Sequence, residues 1–309
     1  MTLPENYLRY PHRHLGMDHD FYPWSILPRR AKINWPNGTK VMLLVIPALE
    51  WFPLDMDIKP SLVPGSLDRP YPDYWNYTLR DYGNRVGFFR IIRVLDSLGV
   101  KASVAMNAAV AERHPFLTEQ INDRGFEVIA HGTDMAHPHH GDLGTEQEAA
   151  QIGECIDKLR HLTGQPVRGW LSPGKSQSLN TLDLLARRGV EYMCDWVNDD
   201  LPYEITTAGG AIHSMPHPFE LDDYVILGEL QHTEDQFLEQ VKDQFDTFYR
   251  ESDEQGGRIL SLSLHPWVIG QPFRIKTLEQ ILDHVLGHDG VHSATASEIL
   301  AAFKANHSS

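Results

Sequence analysis

The 309 residues carry 42 acidic against 27 basic side chains, a formal charge of −15, and 41% of them are hydrophobic. That content fills the core of one barrel or of two modest domains. The scarcity of basic clusters excludes nucleic acid and anionic membranes as expected partners, because polyanion binding rests on Lys and Arg neutralising phosphates. No stretch approaches the roughly 20 apolar residues of a bilayer span, MTLPENYLRYPHRH lacks the apolar core of a secretory signal, and Cys155 and Cys194 are too few for a disulfide framework. A cytoplasmic protein with two buried, reduced thiols is expected.

Residues 1–34 read as an irregular N-terminal arm, dense in Pro, His and aromatic residues without either period. WPNG at 35–38 turns the chain into a first strand, VMLLVIPALE, and one domain is expected over 35–305. A second irregular segment, from about Phe52 to Tyr82, carries Pro53, Pro60, Pro64, Pro70 and Pro72; at that length it reads as a lid, a binding loop or interface material. From Arg85 the pattern becomes helical through Val86, Phe89, Ile92 and Leu95, with Gly99 at the expected stop. KASVAMN is a strand, a helix breaks or restarts at Pro115, and Gly125 leads into FEVIA. Thr145 with Glu148 reads as a capping box for a helix to about Leu162, ended by Gly164. VRGWL, a helix over 178–188 and VEYMCDW continue the alternation, and Gly209–Gly210 signals a hairpin. A helix over 234–250, a strand over 258–264, a helix over 276–287 and VHSAT complete about seven strand–helix units, which fit an α/β barrel better than an open sheet.

The apolar runs end on chemically capable residues: Glu50, Asn107, His131, Ser172, Asn198 with Asp199, and His265. In parallel α/β folds the carboxyl ends of all strands meet at one face, so these groups are expected to converge. A carboxylate, two histidines and several amides or hydroxyls suit hydrolysis. Glu50, beside Trp51 and Phe52, is expected to have a raised pKa and to act as general base; the plainer reading is a strand-end acid paired with Arg85. His131 opens HGTDMAHPHH, a tract that offers metal ligands, although only His131 directly follows a strand. His265 suits protonation of a leaving group. DWVNDD cannot bury all its acids unpaired, so backbone, Arg or substrate must satisfy them. GWLSPGKS is not a phosphate loop, because the spacing of its glycines is wrong.

WPNGTKVMLLV, DYGNRVG, AHG, RGW, NDDLPY and LHPWVIGQPFR with LEQILDHV resemble the polysaccharide deacetylase superfamily over about residues 33–300, and within it the branch of metal-independent allantoinases and cyclic-imide hydrolases. The resemblance implies a distorted (β/α)7 barrel and a homo-oligomer. Glu50 matches the acid that serves as base, His131 the first histidine of the metal motif, and His265 the late general acid. The sequence departs from the sugar deacetylases where their second acid falls on Trp51, their second metal histidine on Met135 and an arginine on Leu171. The expected activity is therefore hydrolysis of a C–N amide bond in a small, cyclic ureide or imide. Glu50, His131 and His265 are the expected catalytic residues, and Arg85, Trp170, Asn198, Asp199 and Trp267 the substrate-binding ones. Trp51 and Trp196 add flat walls. If a divalent metal such as zinc is held, its expected ligands are Glu50, His131, His137 and His139. A metal-dependent deacetylase of N-acetylated sugars and a silent small-molecule-binding barrel remain the alternatives.

Overall fold

The computed structural model describes residues 15, 17, 19–56, 64, 67 and 72–307. Among them the strands are β1 Val41–Leu49, β2 Ser103–Met106, β3 Glu127–Ala130, β4 Gly169–Trp170, β5 Tyr192–Met193, β6 Tyr203–Thr207, β7 Gly210–Ser214, β8 Arg258–Leu264 and β9 Val291–Ser293. The helices are α1 Tyr74–Tyr82, α2 Phe88–Leu98, α3 Ala108–Arg113, α4 Pro115–Asp123, α5 Thr145–Thr163, α6 Thr181–Arg187, α7 Glu234–Gln255, α8 Ile275–Leu286 and α9 Ala296–His307. The sheet runs β6-β7-β5-β4-β3-β2-β1-β8, parallel throughout except for the β6–β7 hairpin. It curls into the distorted (β/α)7 barrel that the sequence leads one to expect.

β1 is the axis of this arrangement. Its nine residues are all buried, as expected of a parallel strand covered on both faces. β8 pairs along one edge from Val41 to Pro47. The opposite edge is shared: β9 takes Val41–Leu43 and β2 takes only Ala48 and Leu49. The sheet is therefore wedged open at the amino end of β1 and closed at its carboxyl end.

The period-2 alternation of β1 sorts the core. Val41, Leu43, Val45 and Leu49 pack outward with α2, α7 and α8, while Met42, Leu44, Ile46 and Ala48 face the barrel interior. α9 closes the bottom of that interior with Ile299, Leu300 and Phe303. Continuing the alternation from Ile46 and Ala48 aims residue 50 inward at the open top.

Several sequence expectations hold: Gly99 and Gly164 end their helices in the left-handed conformation, and Gly210 begins the second strand of the hairpin. Others need correction. Helix α1 begins at Tyr74, inside the segment read as irregular to Tyr82, and passes into α2 through a widened turn over Gly83–Gly87. The Thr145–Glu148 capping box does not form: Gly144 is the N-cap, and Glu148 is buried, accepting hydrogen bonds from Ser178 and Thr181. A capping box does form at Thr233 and Gln236, at the start of α7. The segment YLRYPHRH and residues such as Pro60 and Pro70 lie outside the described residues. Among the described residues no helix is long and apolar enough to cross a membrane.

Candidate active site

Glu50, His131 and His265 line one cavity of about 400 Å³ at the carboxyl ends of β1, β3 and β8, a volume within the range of small-molecule sites. Backbone-directed amides fix the first two. Asn84 donates to the Glu50 carbonyl at 2.9 Å. Asn107, directly after β2, accepts from the Trp51 N–H at 2.7 Å and donates to the His131 carbonyl, so one amide ties together the loops after β1 and β3. Asn107 closes ASVAMN as expected, yet its work is positioning.

His131 donates from Nδ1 to the Leu171 carbonyl at 2.7 Å, the only polarity such a contact allows. Its Nε2 is thereby turned to Glu50, 3.7 Å from Oε1. Burial pushes the Glu50 carboxyl up, but His131, His265 and Arg80 outweigh it and hold the group below its ordinary value. The expected upward shift from neighbouring aromatic rings is thus reversed by polar and charged neighbours that sequence spacing does not reveal. Glu50 is ionised at neutral pH.

His265 is the complement. Its backbone N–H donates to both oxygens of Asp223 at 2.9 Å, its Nδ1 lies 2.8 Å from Asp223 Oδ1, and Asp222 stands 3.5 Å away. Asp222 itself accepts from Ser263 at 2.6 Å. Burial opposes charge on the ring, but Asp222, Asp223 and Glu50 overcome it and raise its pKa to about 10. Burial raises Asp223 to about 6, with His265 pulling the other way. At neutral pH the pair is an imidazolium held by carboxylates, and its Nε2 faces the cavity.

Tight glycine packing holds this loop in place. A Cβ at Gly87 would sit 1.9 Å from the Pro266 carbonyl oxygen, and one at Gly83 2.9 Å from the Trp267 nitrogen. The widened turn therefore presses directly on the segment after β8. The same approach buries Arg80, whose guanidinium lies 4.3 Å from the Phe52 ring centre and 4.8 Å from that of Trp267. Burial lowers the Arg80 pKa, offset in part by Glu50. Lys175 reaches the cavity from the other side, donating to the His217 carbonyl at 3.1 Å.

Other expected site residues lie elsewhere. Arg85 is three-quarters exposed, near Asp81; Arg80, about one and a half helical turns earlier, occupies the cavity instead. Trp170 is fully buried in the core and donates to Ser172. Asn198 is bonded to Tyr22 and Tyr203, and Asp199 to Arg30 at 2.7 Å, so the acidic cluster anchors the N-terminal segment instead of lining the cavity. Trp196 packs on Phe21 and Tyr22 of that segment, and Trp51 on Tyr77 and His114. Trp267 does line the cavity. Asp222, Asp223 and Arg80 were missed; the acid pair of FELDDYVIL, set against an apolar run, is the one signal that marked part of them.

The residues do not fit a metal of the sugar-deacetylase kind. His137 is half exposed and bonded to Asp134 at 2.6 Å, while His139 is buried 3.3 Å from Glu148 and against the Trp170 ring. Neither lines the cavity, where Met135 and Leu171 present apolar atoms. Of the four expected ligands only Glu50 and His131 meet.

A buried acid and a histidine held by two carboxylates face one cavity at the carboxyl ends of barrel strands, an arrangement suited to hydrolysis. The polysaccharide deacetylase family model matches residues 77–193. A putative polysaccharide deacetylase of Schizosaccharomyces pombe is 26% identical over 74% of this chain and 75% of its own length. Among solved structures, Puue allantoinase superposes with a TM-score of 0.83 at 25% identity, covering 93% of this chain and 98% of that one. A probable polysaccharide deacetylase from Pseudomonas aeruginosa PAO1 gives the same score and identity, over 93% and 99%. The chain thus resembles the polysaccharide deacetylase superfamily, with likeness to its allantoinase-like branch.

Proposed function

We propose that this chain hydrolyses a C–N amide bond in a small cyclic ureide or imide, with Glu50 as base and His265 as acid. The observation that carries the reading is the opposite charge of the two groups in one cavity: Glu50 is held ionised and His265 protonated at the same pH. That is the resting state an acid–base pair needs. The attacking water sits beside Glu50 and donates to its carboxylate. Glu50 takes its proton as the oxygen attacks the carbonyl. Arg80, held between two rings, stabilises the developing oxyanion. His265 then passes its Nε2 proton to the departing nitrogen and the ring opens. The cavity volume suits a small heterocycle, and none of these steps calls on a metal.

A metal-dependent deacetylase is the second reading, favoured by the name of the fungal relative and by the Asp222–Asp223–His265 group, whose donor atoms lie within 4.8 Å of one another. A panel of cyclic ureides, cyclic imides and N-acetylated sugars, with products weighed by mass spectrometry, separates the readings. Ring-opened products heavier by one water support the first. Acetate release from sugars alone would overturn it.

A further inference from the structure

A second group of ligand-type side chains lies away from the cleft, on the outer face between α7 and α8. Asp246 is on α7, His284 is in the last turn of α8, and His288 follows just past that helix. His284 Nε2 lies 2.8 Å from Asp246 Oδ1. His288 donates from Nδ1 to the His284 carbonyl at 2.8 Å, and this backbone bond fixes its tautomer and leaves the Nε2 lone pair free, the outer-shell arrangement typical of metal-bound histidines. The two imidazole centres are 5.0 Å apart, and Phe245 packs against both rings while Tyr249 packs on His288. One donor atom from each of the three residues lies within 4.8 Å of the others.

We propose that Asp246, His284 and His288 form a binding site for a divalent transition cation of the zinc class. Two imidazoles with one carboxylate are the donors such ions prefer, whereas calcium and magnesium take oxygens. Tetrahedral zinc with bonds of about 2.0–2.1 Å sets its ligands about 3.3 Å apart. Binding would draw the half-buried histidines and the exposed Asp246 from within 4.8 Å of one another to that spacing. The cation replaces the proton now bridging His284 and Asp246, and water completes the shell. The carbonyl end of α8 adds favourable negative potential. Bound there, the ion ties the end of α8 to α7, a structural role independent of the cleft.

The test uses the intact chain, freed of metal by a chelator and dialysed. Titration with zinc should show one equivalent bound, with a rise in melting temperature. His288→Ala and Asp246→Asn should each weaken that binding by about 100-fold or more, since even outer-shell losses cost 10–100-fold. Both variants should melt like the metal-free wild type and no longer respond to zinc; the second covers any failure of the first to fold. Hydrolytic activity should be the same in variants and wild type. Zinc bound equally well by both variants would place the ion elsewhere and overturn the proposal, as would a wild type that binds none at about 100 μM, far above the concentrations at which structural zinc sites fill.

Discussion

Replacing Asp223 by Asn tests how the acid is made. His265 owes its pKa of about 10 to Asp222, Asp223 and Glu50 acting against burial, from an ordinary histidine value of about 6.5. An opposite charge at this range typically moves a pKa by about 1–3. Asp222 remains at 3.5 Å from the ring in the variant, so the His265 titration should fall to about 7–9, not to its ordinary value. The amide oxygen can still accept from the His265 N–H, and the loop should stay in place. The sign is fixed: activity needs the protonated ring, so it is lost as pH rises through the His265 pKa. With the limb moved to about 8, wild type at pH 9 keeps about 91% of its acid and the variant about 9%, an extra loss of about tenfold that is absent at pH 6.5. The assay is kcat/KM across pH 5.5–10.5 on the best ureide or imide. An unchanged alkaline limb would refute the assignment of His265 as the acid held by Asp223.

Glu50→Gln and His265→Asn should each lower kcat by about 100-fold or more with the fold intact by circular dichroism, the usual scale for losing an acid or base; near-normal turnover in either would remove that residue from the mechanism. Asp199→Asn should leave kcat/KM within about twofold for all substrates, because Asp199 pairs with Arg30 outside the cavity. It should cost at most about 1 kcal/mol of stability in urea unfolding, the scale of a partly exposed ion pair. Selective loss of substrates with free ring N–H groups would return the cluster to the substrate. Gly87→Ala, whose Cβ would meet the Pro266 carbonyl at 1.9 Å, should cost about 1–3 kcal/mol and lower kcat as the loop carrying His265 moves. A stable, fully active variant would show that this packing does not position the acid.

Strand ends were the legible part of the site. Glu50, His131 and His265 follow apolar runs whose period fixes their direction, and chain topology brings those ends together. Asn107 was legible in place but not in role, since its amide faces neighbouring backbone. Arg80 was hidden because α1 starts inside a stretch of prolines and aromatics with no clear period, and the helix pattern that reads well from Arg85 pointed to the wrong arginine. Asn198 and Asp199 misled for the opposite reason. They do follow a strand, but β5 is only two residues long and the chain has turned away to hold Tyr22 and Arg30 before reaching the cavity. The charge state of Glu50 could not be read at all, because it depends on Arg80 of α1 and on the histidines that follow β3 and β8.

The most direct test of the central claim, that Glu50 and His265 perform hydrolysis without a metal in the cleft, is turnover of the best substrate by chain stripped of metal, with metal content measured on the same sample. The account predicts kcat/KM unchanged by stripping and by return of zinc, and abolished in Glu50→Gln under both conditions. Activity lost on stripping and restored in proportion to zinc bound would contradict it.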